Sequence, residues 1–253
     1  MTDVCFVADL HKFALRSDAD LVEPAIREAA ARSDLCVLGG DIFDFRWSTY
    51  PSPEATAEAA IAWLRDLTTA IPDTDFVLLL GNHDHAEPLL ERLPRYAESA
   101  GNFEWFRYYL RVGSAVFLHG DAADVPRRSR TGLTHAGALQ RMRERSRHHG
   151  QRPRGKAQNH VYRQFVRSRL HHVVPRIAYP KRRVVRRLHA YLEHLNLAAK
   201  DGVRSVYFGH THFPVDGLRY AGLTFHNGGA PIGDRSFRVL TARLEPDADR
   251  HGH

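Results

Sequence analysis

Only two cysteines, Cys5 and Cys36, occur among the 253 residues. Their scarcity excludes a disulfide-stapled scaffold and a thiolate metal cage, and no CxxC pair is present. Both lie in apolar, strand-like runs, where a free thiol behaves as a small core residue. Long apolar runs are missing as well. Stretches such as Phe76–Leu80 fall far short of the roughly 20 residues that cross a bilayer. The start, Met1-Thr2-Asp3, leads into a strand pattern with no basic leader or cleavage-site pattern, so no signal peptide is expected. There is no P-loop, no glycine-rich dinucleotide fingerprint and no zinc-protease helix motif. Solenoid repeats and low-complexity linkers are absent too. With 18 Gly, 13 Pro, 43% hydrophobic and 26% charged residues, the composition is ordinary for a globular chain. The expectation is a reduced, cytoplasmic protein with one large domain or one domain carrying an insertion.

What is present begins with charge. The formal net charge is +7, but it is unevenly spread. Residues 124–200 hold 20 Lys or Arg against 3 Asp or Glu, whereas the remainder holds 16 against 26. An acidic body therefore carries a strongly basic segment. A solvated face would explain it blandly; an anionic partner such as phosphate, lipid headgroups or nucleic acid explains it better.

Five short apolar runs end in polar residues. They are Val4–Ala8 before Asp9-Leu10-His11, Leu35–Leu38 before Gly39-Gly40-Asp41, and Phe76–Leu80 before Gly81-Asn82-His83-Asp84. Ala115–Leu118 precedes His119-Gly120-Asp121, and Val206–Phe208 precedes Gly209-His210-Thr211-His212. Runs this short read as buried strands. Helical patterns lie between the first three: one with Leu21, Ala25, Ile26 and Ala29 on a face, and one opened by Ser52-Pro53. The latter aligns Ala57, Ile61, Leu64, Leu67 and Ile71, and a third helix runs from Glu87 to Ala100 and stops at Gly101. The alternation predicts an α/β fold with parallel strands. A hairpin over 108–118 and later strands at Leu223–His226 and Phe237–Leu244 make the sheets mixed. In the basic segment, Val161, Phe165, Leu170 and Val173 mark one amphipathic helix, and Val184, Val185, Leu188, Tyr191, Leu192 and Leu195 a second. Residues 124–200 are thus expected to be a helical, lid-like insertion between a catalytic core of residues 1–123 and 201–246.

Strand ends in such a sheet deliver side chains to one crevice. Here they supply Asp9, His11, Asp41, Asn82, His119, His210 and His212. Carboxylate, imidazole and amide oxygen without thiolate suit manganese, iron or zinc better than calcium or magnesium. Alternate residues of an extended segment point the same way, so Asp9 with His11, and His210 with His212, could each face the crevice, although a bend at the strand end could aim them at different metals. Any one of these residues alone would be read as an ordinary hydrogen-bonded surface group; seven at strand ends would not.

In order, these motifs resemble those of calcineurin-like metallophosphoesterases. The resemblance implies a two-sheet mixed β-sandwich flanked by helices, in four layers, and a centre of two divalent metal ions, with manganese favoured and iron or zinc as alternatives. It further implies that Asp9, His11 and His212 hold one ion, that Asn82, His119 and His210 hold the other, and that Asp41 bridges. A hydroxide shared by both ions then attacks phosphorus. His83 is implied as a proton donor or phosphate contact, with Asp84 orienting it; Asp44 and Asp121 are expected to support the site by hydrogen bonding. Within the family, Gly40-Asp41-Ile42-Phe43-Asp44-Phe45 followed by Arg46-Trp47 resembles the UDP-2,3-diacylglucosamine pyrophosphatases of lipid A biosynthesis. A basic helical insertion before the Gly-His-Thr-His motif does so too, although His83 stands where well-known members carry Arg.

The leading expectation is a metal-dependent phosphoesterase or pyrophosphatase acting on a phosphorylated small molecule or a UDP-diacylglucosamine-like lipid. Arg46, Arg182, Arg183, Arg186 and Arg187 would bind the substrate, with peripheral contact to an anionic inner membrane. A nuclease or cyclic-nucleotide phosphodiesterase is the second enzymatic reading. The third is a non-catalytic adaptor that binds nucleic acid or membrane. Tyr162, Phe165, Tyr179 and Tyr191 could stack bases, but core packing explains Phe165 and Tyr191 more simply.

Overall fold

The computed structural model describes residues 1–125, 134–149, 179–233, 236–245 and 251–253. β1 (Thr2–Val7), β2 (Leu35–Gly39), β3 (Asp75–Leu79) and β4 (Phe103–Phe106) run parallel. β10 (Leu240–Leu244) lies antiparallel beside β1 and completes the first sheet. The second sheet contains β5 (Tyr109–Val112), β6 (Ala115–Leu118), β7 (Ser205–Phe208), β8 (Val215–Tyr220), β9 (Leu223–Asn227) and β11 (His251–Gly252). Its order is β11-β5-β6-β7-β9-β8, with parallel and antiparallel neighbours.

Period-two alternation assigns each side chain to a layer. Val4, Phe6, Val37, Val77 and Leu79 of the first sheet meet Leu110, Val112, Ala115, Phe117 and Tyr207 of the second. The Phe117 and Tyr207 rings stack with centroids 4.9 Å apart across β6 and β7. Cys5, Val7, Cys36 and Leu38 face the other way, against helices. These helices are α1 (Ala19–Ala30), α2 (Pro53–Ala70) and α3 (Glu87–Ser99). Ser52 caps α2, its hydroxyl accepting the Ala55 amide at 3.1 Å. The face expected for α1 is rotated. Leu21 is 81% exposed, and Ala25 is exposed as well. Ala19, Val22, Ile26, Ala29 and Ala30 pack instead, while Glu23 turns inward to hold the buried Lys12 ammonium at 2.7 Å.

The second sheet is covered by α4 (His135–His149) and α5 (Lys181–His194). Val184, Val185, Leu188, Tyr191 and Leu192 of α5 pack with Leu118, Val206, Phe208 and Phe225. The architecture is therefore two mixed sheets between helical layers. Within residues 124–200, α5 is packed into a core cluster rather than set apart from it. Helix α4 falls in a Gly/Arg/His-rich stretch without an apolar stripe, and was not expected. Two of its described side chains are fully buried, Leu139 and Arg143. The helix expected around Val161, Phe165, Leu170 and Val173 lies outside the described residues, as does Tyr162. His251 and His253 read from the sequence as disordered surface, but β11 pairs with β5, and His253 exchanges backbone hydrogen bonds with Tyr109. Among the described residues, no helix is long and apolar enough to cross a membrane.

Arg143 anchors α4. Its guanidinium donates in a fork to Asp121, at 2.8 and 2.7 Å, and both side chains are 1% exposed. Burial alone would raise the Asp121 carboxyl, but Arg143 holds it below its ordinary value. Replacing one member of such a pair strands a buried charge. Arg143→Leu is expected to cost about 3–5 kcal/mol, read as a lower urea midpoint; an unchanged midpoint would show that the pair does not anchor α4.

Candidate metal centre

The loops after β1, β2, β3, β6 and β7 bring all seven expected ligands to one edge of the sandwich. Two groups of ligand atoms lie within coordination reach of each other: Asp9, His11 and His212, and Asp41, His119 and His210. Asn82 joins the second group, its Oδ1 lying 3.2 Å from His119 Nε2. Asp41 Oδ2 lies 3.4 Å from His119 Nε2 and 4.0 Å from His11 Nε2, and so stands between the groups.

The local backbone is not extended there. Asp9, His11, Asp41, His210 and His212 all have positive φ, between 48° and 67°. Each such non-glycine residue stores about 1–3 kcal/mol of strain. Strand alternation therefore does not aim these ligands; left-handed turns do. As a result His210 and His212 part company, despite their spacing. His212 Nε2 faces His11 Nε2 at 3.0 Å, whereas the His210 ring meets that of His119, with centroids 5.1 Å apart. Gly81 is required by space: a Cβ there would fall onto the Asp41 carboxylate and amide.

The residues present fit a cation. Both Asp9 oxygens are buried without a well-aligned hydrogen bond, although the His210 amide leans toward them. The His11 and His212 Nε2 atoms face each other at 3.0 Å, close enough to share a proton as opposite tautomers or to serve one cation together. Burial, with the Asp41 charge adding to it, pushes the Asp9 carboxyl up to about 7. Burial also opposes ionisation of Asp41, but His119, His83 and His11 hold it well below its usual range. The same attraction overrides the burial of His119 and lifts it to about 10. Burial dominates at His11, which falls to about 4.

Around the ligands, Asp44 does more than the sequence suggested. Its carboxylate lies 3.2 Å from His11 Nδ1, 2.8 Å from His83 Nδ1 and 2.9 Å from Arg16 Nη2. Despite its burial, His83 and Arg16 keep it well below the ordinary carboxylate range. It also caps the turn at the Arg46 and Trp47 amides. Asp84 is not the residue that orients His83. Its oxygens accept the amides of Ile42 at 3.3 Å, Phe43 at 2.8 Å and Gly81 at 3.2 Å, fixing the Asp41 loop against the Asn82 loop. A carboxylate beside a His in sequence points to a pair, and only the fold shows that the backbone takes it. His83 itself is partly exposed, and lies within ligand reach of His11 and Asp41. Burial works against its charge, but Asp44 and Asp41 raise it above the ordinary imidazole value.

Arg46, Arg182, Arg183 and Arg186 are exposed. Arg187 is half-buried and donates to the Ala123 carbonyl at 2.6 Å. The sequence missed three supports. Asp124 meets His210 Nε2 at 2.9 Å, Arg16 meets Asp44, and Asn227 donates to the Gly209 carbonyl at 2.9 Å. Only Asp124 carried a usable signal, as a further carboxylate beyond the His119-Gly120-Asp121 strand end.

Residues 2–214 match the family model described as calcineurin-like phosphoesterase. No curated protein is significantly similar to the chain. Among solved structures it is similar to a dimetal phosphatase from Danio rerio, at 14% identity and a TM-score of 0.46. That similarity covers 96% of this chain and 92% of the other.

Because a cation binds the carboxylate and the neutral imidazole, uptake must displace protons from Asp9, raised to about 7, and His119, raised to about 10. Affinity is therefore expected to rise with pH between 6 and 8, with protons released on binding. Calorimetry in buffers of different ionisation enthalpy checks this; binding without proton release would contradict the assigned ligands.

Proposed function

The chain belongs to the calcineurin-like phosphoesterase family, and from that membership we propose a dinuclear-metal phosphoesterase or pyrophosphatase acting on a bulky anionic substrate. That it is a metal-dependent hydrolase follows from the family; the bond cleaved and the substrate are our reading. The observation that carries it is the pair of ligand groups meeting at Asp41, beside an Asp9 carboxylate that has no well-aligned hydrogen bond among the described residues. Two divalent cations held there, manganese or else iron or zinc, would activate a shared water and neutralise charge on phosphoryl oxygens. The chain's own groups do the rest. Asp41 spaces the two ligand groups, and Asp44 holds His83 by Nδ1. The other ring nitrogen is then left to contact phosphate or to protonate a leaving oxygen.

The substrate reading rests on α5. Lys181, Arg182, Arg183 and Arg186 are exposed on a helix whose opposite face is buried. Such a face suits a UDP-diacylglucosamine-like amphiphile, or an anionic membrane on which that lipid resides. Arg187 is set aside from this role because its guanidinium is committed to the Ala123 carbonyl. A nucleic-acid backbone remains the alternative occupant, but no described feature favours it over a lipid phosphate.

Purified protein with Mn²⁺ should hydrolyse nitrophenyl phosphates, and a panel adding a UDP-lipid and single-stranded nucleic acid identifies the preferred class. Asp41→Ala is expected to lose at least one metal and nearly all turnover; two metals per chain with normal activity would overturn the dinuclear reading. His83→Ala should keep both metals while kcat falls about 10²–10⁴-fold on alkyl phosphates, whose leaving group needs a proton. If that variant loses metal, His83 is a ligand rather than an acid. Changing Arg182, Arg183 and Arg186 to Gln should raise KM for the large substrate, spare the nitrophenyl ester, and be mimicked by salt. An equal response from both substrates would make the helix structural support only.

A further inference from the structure

We propose that Asp124 is a positioning residue for the metal ligand His210, and that the basic segment holds Asp124 in place. This rests on the metal-centre reading above. Each of three ligand imidazoles has one ring nitrogen next to a fixed acceptor, which leaves the other for the centre. His11 Nδ1 lies 3.2 Å from Asp44, and His119 Nδ1 lies 3.4 Å from the Gly39 carbonyl. His210 Nε2 lies 2.9 Å from Asp124 Oδ2, which leaves Nδ1 as the ring nitrogen free for the centre, and the residue stands with Asp41 and His119. Gly39 ends β2 and Asp44 lies in the loop that follows it, both on the first sheet's side. Asp124 is not: it ends the 3₁₀ turn Asp121–Asp124, directly after His119-Gly120.

That turn is clamped from the basic segment at three points. Arg143 of α4 forks onto Asp121. Arg187 of α5 holds the Ala123 carbonyl at 2.6 Å. The Tyr179 hydroxyl bonds the Asp124 carboxylate, and its ring meets the His210 ring edge-on with centroids 5.7 Å apart. Residues set aside by sequence as a lid thus touch His210 directly, through the Asp124 carboxylate and the Tyr179 ring. A carboxylate behind a ligating imidazole fixes its tautomer and ring orientation, and its loss costs about 10–100-fold in metal affinity.

The test is a Mn²⁺ titration of the full chain after chelator treatment, for wild type, Asp124→Asn and Tyr179→Phe. Asparagine preserves shape but loses the charge that holds the imidazole. One of two metals should bind about 10–100-fold more weakly in Asp124→Asn, with the other within twofold. The electron paramagnetic resonance signal of a coupled Mn²⁺ pair should give way to that of a single ion at intermediate metal. Tyr179→Phe, which removes only the hydroxyl, should weaken the same site by a smaller factor. Should Asp124→Asn fail to fold by near-ultraviolet circular dichroism, Tyr179→Phe carries the test, and wild-type affinity in it would overturn the proposal. Two metals bound with wild-type affinity by a folded Asp124→Asn would overturn this proposal alone. A wild-type chain that takes up no divalent metal would overturn the metal-centre reading and this one together.

Discussion

Everything at the active edge depends on one electrostatic constraint: carboxylates and imidazoles are gathered in a volume from which water is largely excluded. Asp9, Asp41, Asp44, His11 and His119 are each at most 1% exposed. Left alone, such groups neutralise or repel, and opposite displacements are what the site shows, with Asp9 raised and Asp41 lowered. A divalent cation resolves both at once. Backbone strain points the same way, because five ligands with positive φ persist only where their surroundings over-determine them. The supports are visible: Asp84 ties three amides of two loops, and Asn227 ties the loop of His210 and His212.

Much of this was legible in the sequence, and for a physical reason. Short apolar runs ending in Asp, Asn or His report strand and ligand together, since a buried parallel strand has no polar positions until it leaves the sheet. That logic located β1, β2, β3, β6 and β7 and the seven side chains that the structure gathers at one edge. It could not deliver direction. The spacing of Asp9 with His11 and of His210 with His212 left a shared face and a bend toward different ions both open, and left-handed turns decide where each points. Asp84 was misread for a related reason: adjacency to His83 is visible in a sequence, but the amides of Ile42 and Phe43, some forty positions earlier, are not. The exposed Leu21 shows the same limit, since a helix face follows the inward Glu23–Lys12 pair as well as its apolar residues.

The basic segment was legible in composition but not in role. Counting Arg and Lys treats them alike, and the structure divides them. Arg143 is buried in an ion pair, Arg147 pairs with Glu87 at 2.6 Å, and Arg187 is spent on a backbone carbonyl. Those on the outer face of α5, Arg182, Arg183 and Arg186, are exposed. Because α4 has so little apolar surface, its anchor is a charge pair, which no hydrophobic periodicity reports.

The packing of α5 also has a consequence for the chain as an evolving or engineered object. Val184, Val185, Leu188, Tyr191 and Leu192 are the roof over β6, β7 and β9. A shortened chain that kept every ligand but lacked residues 124–200 would expose that sheet face to water. Such a face is a sticky surface for self-association. Lineages that shed this segment would have to repaint the second sheet with polar residues or recruit another helix to cover it.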